Sequence, residues 1–176
     1  MFWIESCRLL VYNGIYAKDK EDLIMAHYFN NFIPSIVPNV PQLLQRKINF
    51  LTSIQLTDNE CRIFSICLED ISIIIKKDGL ENSLTQVHAC FTPTGDFGFS
   101  WEGMCQASYA QLAVYNMQEI RKLGDEQIAF VFTEELVHHF WKYDDETETK
   151  YKVLEILQIT EPHITKEYVK NWGLNW

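Results

Sequence analysis

The sequence predicts an α+β protein in which a small, mainly antiparallel sheet is packed by helices. Three observations lead there. Helical periodicity with acidic helix starts occupies both ends of the chain. The middle third is rich in β-branched residues and is punctuated by Lys76-Lys77-Asp78-Gly79 and Gly95-Asp96, which carry turn chemistry. Finally, 176 residues with 47% hydrophobic and 14% aromatic content are enough to bury a full core, so residues 1–176 read as one domain.

Each element follows in order. Asp19-Lys20-Glu21-Asp22 places negative charge at the start of a helix expected over about residues 20–32. Pro34, Pro38 and Pro41 then form a stiff connector, and a second helix is expected over about 42–54. The β-branched runs 62–69 and 71–77 read as strands, and 85–91 and 97–101 complete a sheet of three or four. From 107 to 123 the period is helical again, with Tyr109, Leu112, Ala113, Met117 and Ile120 on one side and Gly124 as the stop. Asp125-Glu126 opens the next helix, and a polar loop over 144–148 leads to a last one over about 150–157.

Composition narrows the function. A formal charge of −9 without clustered Lys or Arg argues against a nucleic-acid surface. The longest apolar runs, such as Ile71–Ile75 and Ile128–Phe132, are too short to span a bilayer, so no membrane partner is expected. The N-terminus lacks the basic start and long apolar stretch of an export signal, which points to a cytoplasmic location. Cys7, Cys61, Cys67, Cys90 and Cys105 form an odd set with no Cys-x-x-Cys pair, so they read as buried free thiols.

Most of the chemical information lies in Phe130-Val-Phe-Thr-Glu134-Glu135-Leu-Val-His138-His139-Phe-Trp141, where two carboxylates and two imidazoles interrupt an apolar helix. Desolvating an unpaired carboxylate costs several kcal/mol, so burial calls for a metal, a mutual hydrogen bond or water in a cleft. At about 100° per residue, with Glu134 at zero, His138 lies near 40°, Glu135 near 100° and His139 near 140°. All four share one side, and Glu134 or Glu135 with His138 has the spacing to ligate one ion.

Thr133-Glu134-Glu135-Leu136-Val137-His138-His139 resembles the His-Glu-x-x-His helix of zincin metallopeptidases, with Glu134 in place of the first His. The resemblance implies that Glu135 is the general base and that Glu134 and His138 are metal ligands. In zincins with a short ligand spacing the third ligand stands six residues beyond the second His, so the resemblance implies Asp144 here, with Glu146, Glu148 and Glu155 as rivals. Trp141 stands where the family places a turn-forming Gly. The family binds zinc, and a carboxylate in place of His makes the ligand set harder and shifts the preference toward manganese or iron, so the implied metal is one of these three. The function implied is a metal-binding, peptidase-like protein, active or inactive, that acts on or binds a protein or peptide.

Other readings of the same residues stand beside this one. Glu135-Leu-Val-His138 matches one Glu-x-x-His copy of the four-helix carboxylate proteins, but no second copy is present. Glu and His at helical spacing also form solvated or mutually bonded faces. A non-catalytic binding or interaction domain without metal is the competing class, using the acidic surface and aromatics such as Trp172 and Trp176. His27, His88 and His163 read as surface or satisfied core residues, and Glu69-Asp70, Asp144-Asp145 and Glu146 as exposed acidic loops.

Overall fold

The computed structural model describes residues 9–11, 27–28, 34–95, 98–99 and 111–173. Their order is β1 (Leu9–Val11), β2 (His27–Tyr28), a 3-10 turn (Gln42–Leu44), β3 (Ile48–Thr52), α1 (Asp58–Asp78), β4 (Val87–Thr92), β5 (Gly98–Phe99), β6 (Gln111–Asn116), α2 (Met117–Ile120), α3 (Asp125–Trp141), α4 (Glu146–Leu157) and α5 (Lys166–Lys170). Strands β3, β4 and β6 form a parallel sheet in that order, with Ile48 opposite Val87 and Val87 opposite Gln111. The two- and three-residue strands β2, β1 and β5 pair antiparallel in that order.

The expected mainly antiparallel sheet is therefore corrected: the sheet that bears the core is all parallel, within a mixed α and β arrangement. The reason lies in residues 62–77, whose isoleucines suggest two strands but which form most of the helix α1. A helix between two strands is the crossover that lets them run the same way, whereas a tight turn would have reversed the chain. Periodicity and capping outweigh local β propensity here. Cys61, Phe64, Cys67, Leu68, Ile71, Ile74 and Ile75 recur at three- and four-residue intervals and are all buried. At the start, Thr57 Oγ1 accepts from the Glu60 amide at 3.2 Å and Glu60 Oε2 from the Thr57 amide at 2.7 Å, a complete capping box. At the end, Gly79 adopts φ 70°, a left-handed conformation that glycine takes without strain.

Two expected helices are strands. Residues 42–54 hold only the 3-10 turn after Pro41, then β3. Of the helix expected over 107–123, residues 107–110 lie outside the described residues, and the rest gives β6, whose Ala113 and Tyr115 are buried in alternation, followed by the single turn α2. The helix expected over 20–32 falls largely outside the described residues, and the part within them, His27–Tyr28, is strand.

One face of the parallel sheet carries Ile48 and Phe50, Val87, Ala89 and Phe91, and Ala113 and Tyr115. Against it stack Phe64 of α1 and Phe132 of α3: the Phe64 ring lies 5.1 Å from Phe91 and 4.3 Å from Phe132, and Tyr115 lies 5.2 Å from Phe132. Each such side chain contributes roughly 1.5–3 kcal/mol by leaving water. The Tyr115 hydroxyl donates to the Phe132 carbonyl at 3.1 Å, so its polar end is satisfied inside the core. This contact fixes α3 along the edge strand β6 and sets the direction of its remaining side chains.

Glu60, 4% exposed, ties the sheet to α1. Arg121, just after α2, reaches its two oxygens at 2.7 and 3.0 Å and also donates to the Gln55 carbonyl. Burial alone would raise the Glu60 pKa. The Arg121 guanidinium and the Thr57 amide outweigh it and hold the carboxyl below its ordinary value.

Candidate functional site

Helix α3 presents the predicted cluster because its other side is committed to the core. Phe130, Phe132, Leu136, Val137 and Phe140 are buried, leaving Glu134, Glu135, His138 and His139 partly buried at the margin. The helix starts at Gly124, whose amide donates to Gln127 at 3.0 Å, and ends at Lys142 with φ 58°. The left-handed turn thus comes at Lys142, one residue after Trp141. Trp141 itself is spent on structure: its indole donates to Asp78 at 2.7 Å beneath the Lys152 ammonium.

The two imidazoles have different tasks. His139 Nε2 lies 3.1 Å from the Leu112 carbonyl, so the ring donates there and ties α3 to β6. Burial pushes its pKa down, with the bond to Leu112 opposing and the His138 charge adding. His138 Nδ1 lies 2.8 Å from the Tyr143 carbonyl, to which it donates, so Nε2 is the nitrogen left to face α4. Nε2 is 3.8 Å from Glu146 Oε1 at the start of α4.

Neither Glu134 nor Glu135 makes a hydrogen bond or ion pair within the described residues. Both carboxyls are held above their ordinary pKa. For Glu134 the causes are burial, then the Glu146 and Glu135 charges, partly offset by Lys150 and His138. For Glu135 they are burial and Glu146, offset by His138. Glu135 also lies close enough to Tyr115 to add to the upward push that burial gives the phenol.

Among the described residues, no group of three or more His, Cys, Asp or Glu is arranged to hold a metal ion. Glu134, His138 and Asp144 are not brought together as such a set. Asp144 is exposed, and the acid nearest His138 is Glu146. Of the other rivals, Glu155 is engaged by Lys77 at 2.7 Å and Lys152 at 2.6 Å, while Glu148 is exposed. Among the described residues, then, the donors are not gathered into the three-ligand set that the resemblance implies.

The remaining candidate residues are settled by their contacts. His163 bridges Glu126 at 2.8 Å and Glu161 at 3.5 Å. Trp172 packs edge-on against Phe130 at 6.0 Å, and Trp176 lies outside the described residues. Cys61, Cys67 and Cys90 are free and buried, as expected, and burial pushes the Cys67 and Cys90 thiols up to about 12. Asp70 departs from expectation most: it is no exposed loop acid but lies within α1, 4% exposed. Its three-residue spacing from Cys67 and its place one residue before Ile71 are the signal in the sequence that could have found it. His88 Nδ1 is also buried without a partner among the described residues.

No family model, curated protein or solved structure matches this chain. The zincin resemblance therefore rests on the α3 residues alone.

Proposed function

We propose that this chain is a zincin-like domain without peptidase chemistry, which uses the acids between α3 and α4 to bind a cationic group of a protein or peptide. The observation that carries this reading is the pair Glu134 and Glu135, partly buried and without a hydrogen-bonding or ionic partner among the described residues. Unpaired carboxylates at such a margin are held at a cost, and an arriving ammonium or guanidinium removes it. Both acids feel the charges of Glu146 and His138, and this excess of carboxylate over imidazole suits a cation and is poor for activating water on zinc.

A second reading has one observation in its favour. A histidine whose Nδ1 is anchored on a carbonyl, as His138 is on Tyr143, has its other nitrogen oriented as a metal ligand's would be. Under it, Glu134 or Glu146 with His138 holds zinc, manganese or iron.

Untagged protein separates the two. Metal analysis before and after zinc titration should find no stoichiometric metal, fluorogenic peptides should not be cleaved, and a Lys- and Arg-rich peptide should bind about tenfold more weakly to the Glu134→Gln, Glu135→Gln double variant. Stoichiometric metal released by His138→Ala, or hydrolysis lost in Glu135→Gln, would overturn the proposal.

A further inference from the structure

A cavity of about 250 Å³ lies between α1, the N-terminal half of α3 and the segment from the end of α4 to Ile164. At about 100° per residue, Ala129 in its wall stands some 140° around α3 from Glu134, so this cavity and the acid cluster are separate. Ile63, Ile66, Ala129, Leu157 and Ile164 give it apolar walls, and Asp70 is its buried charge. Thr160 donates to Asp70 Oδ1 at 2.9 Å; Asp70 Oδ2 accepts no hydrogen bond from the described residues.

Asp125 and Glu126 in the lining already have partners. Asp125 accepts from Arg62 at 3.2 Å and from Asn59 at 3.0 Å. Glu126 accepts from His163 at 2.8 Å and from the Tyr168 hydroxyl at 2.9 Å, and His163 also faces Glu161. Four acids against one arginine make the lining electronegative, and Asp70 is the one carboxylate of the four that is buried. The cavity's volume corresponds to roughly eight groups the size of a water molecule.

We propose that this cavity binds a short primary alkylammonium, with the ammonium on Asp70 and the aliphatic chain along Ile63, Ile66, Leu157 and Ile164. An anion would meet Asp70 and Glu161, and a wholly apolar ligand would strand a buried carboxylate without a partner. The inference is independent of the α3–α4 reading, since the two sites share no residue.

Calorimetric titration of the full chain with n-pentylammonium and with pentanoate tests it. The ammonium should bind at millimolar concentration or better and pentanoate should not. Asp70→Asn, which keeps the shape and removes the charge, should weaken ammonium binding at least about tenfold. Ala129→Leu, which fills the wall without touching the charge, should do the same. A lysine capped as its N-acetyl methylamide distinguishes the source: binding of both probes identifies a protein lysine, and binding of pentylammonium alone a free amine. No heat with pentylammonium, equal binding of pentanoate, or full affinity in Asp70→Asn would overturn the proposal.

Discussion

Glu60 on α1 and the pair Glu134 and Glu135 on α3 show opposite outcomes for acids drawn into the same fold. Glu60 exposes only 4% of its surface, yet its carboxyl is held below its ordinary pKa, while the partly buried Glu134 and Glu135 are held above theirs. The difference is the partner. Arg121 meets both oxygens of Glu60, whereas the α3 acids face Glu146 and one another with only His138 and Lys150 in opposition. An acid that the fold has satisfied is part of the fold, and one left unsatisfied is available for something else.

The strongest way to break this contrast is to remove the satisfied acid. Glu60→Ala should destabilise the protein by about 3 kcal/mol in urea denaturation, near the low end for a broken buried pair because the Arg121 side chain is 42% exposed and rehydrates. The loss includes the reciprocal half of the α1 capping box. A loss below about 1 kcal/mol would place Glu60 among ordinary surface acids.

Asp70 extends the contrast to an acid half-satisfied by Thr160. Burial, with the Glu69 and Glu161 charges, pushes its pKa up to about 6 from an ordinary value of 3.8. A raised carboxyl binds its proton more tightly in the folded state, so stability is lost as pH rises from about 4 through 6. Asp70→Asn should therefore be more stable than the parent at pH 8, by about 1–3 kcal/mol, with the gain gone at pH 4. Thermal melts at the two pH values measure it.

For the α3 pair the sign is the same and the effect smaller, since both side chains keep some contact with water. Glu134→Gln and Glu135→Gln should each be neutral or stabilising by up to about 1 kcal/mol at pH 8, and indistinguishable from the parent once the carboxyls are protonated. Destabilisation at pH 8 would mean that the acids have partners in solution. The smallest effect concerns His139, whose depressed pKa means the folded state resists its protonation. Its contribution is present above the ordinary pKa of 6.5 and fades as pH falls through the folded value, visible by NMR as a ring that titrates below the ordinary histidine value.

The site is more legible in the sequence than the sheet. Helix α3 follows from Asp125-Glu126 and the spacing of its apolar residues, both local signals, and the grouping of Glu134, Glu135 and His138 on one side follows from helix geometry. The parallel sheet is harder to read because strand direction depends on what connects the strands, and the connector α1 is built from isoleucines that favour a strand when taken one at a time. Thr57, Glu60 and Gly79, the caps that decide for helix, carry the signal that outweighs them. Counting residues points to Asp144 as third ligand, but the turn at Lys142 and the N-cap at Asp145 bring Glu146 nearest His138 instead. Asp70 is hidden because Glu69-Asp70 looks like a loop pair unless α1 is already in place.

That α3 carries unsatisfied acids and not a metal centre is tested most directly by a carboxyl-detected NMR titration of Glu134 and Glu135 in untagged protein, with and without one equivalent of zinc. Both should titrate above the ordinary glutamate value, and zinc should leave the curves unchanged. Midpoints at or below the ordinary value, or a downward shift on adding zinc, would contradict it.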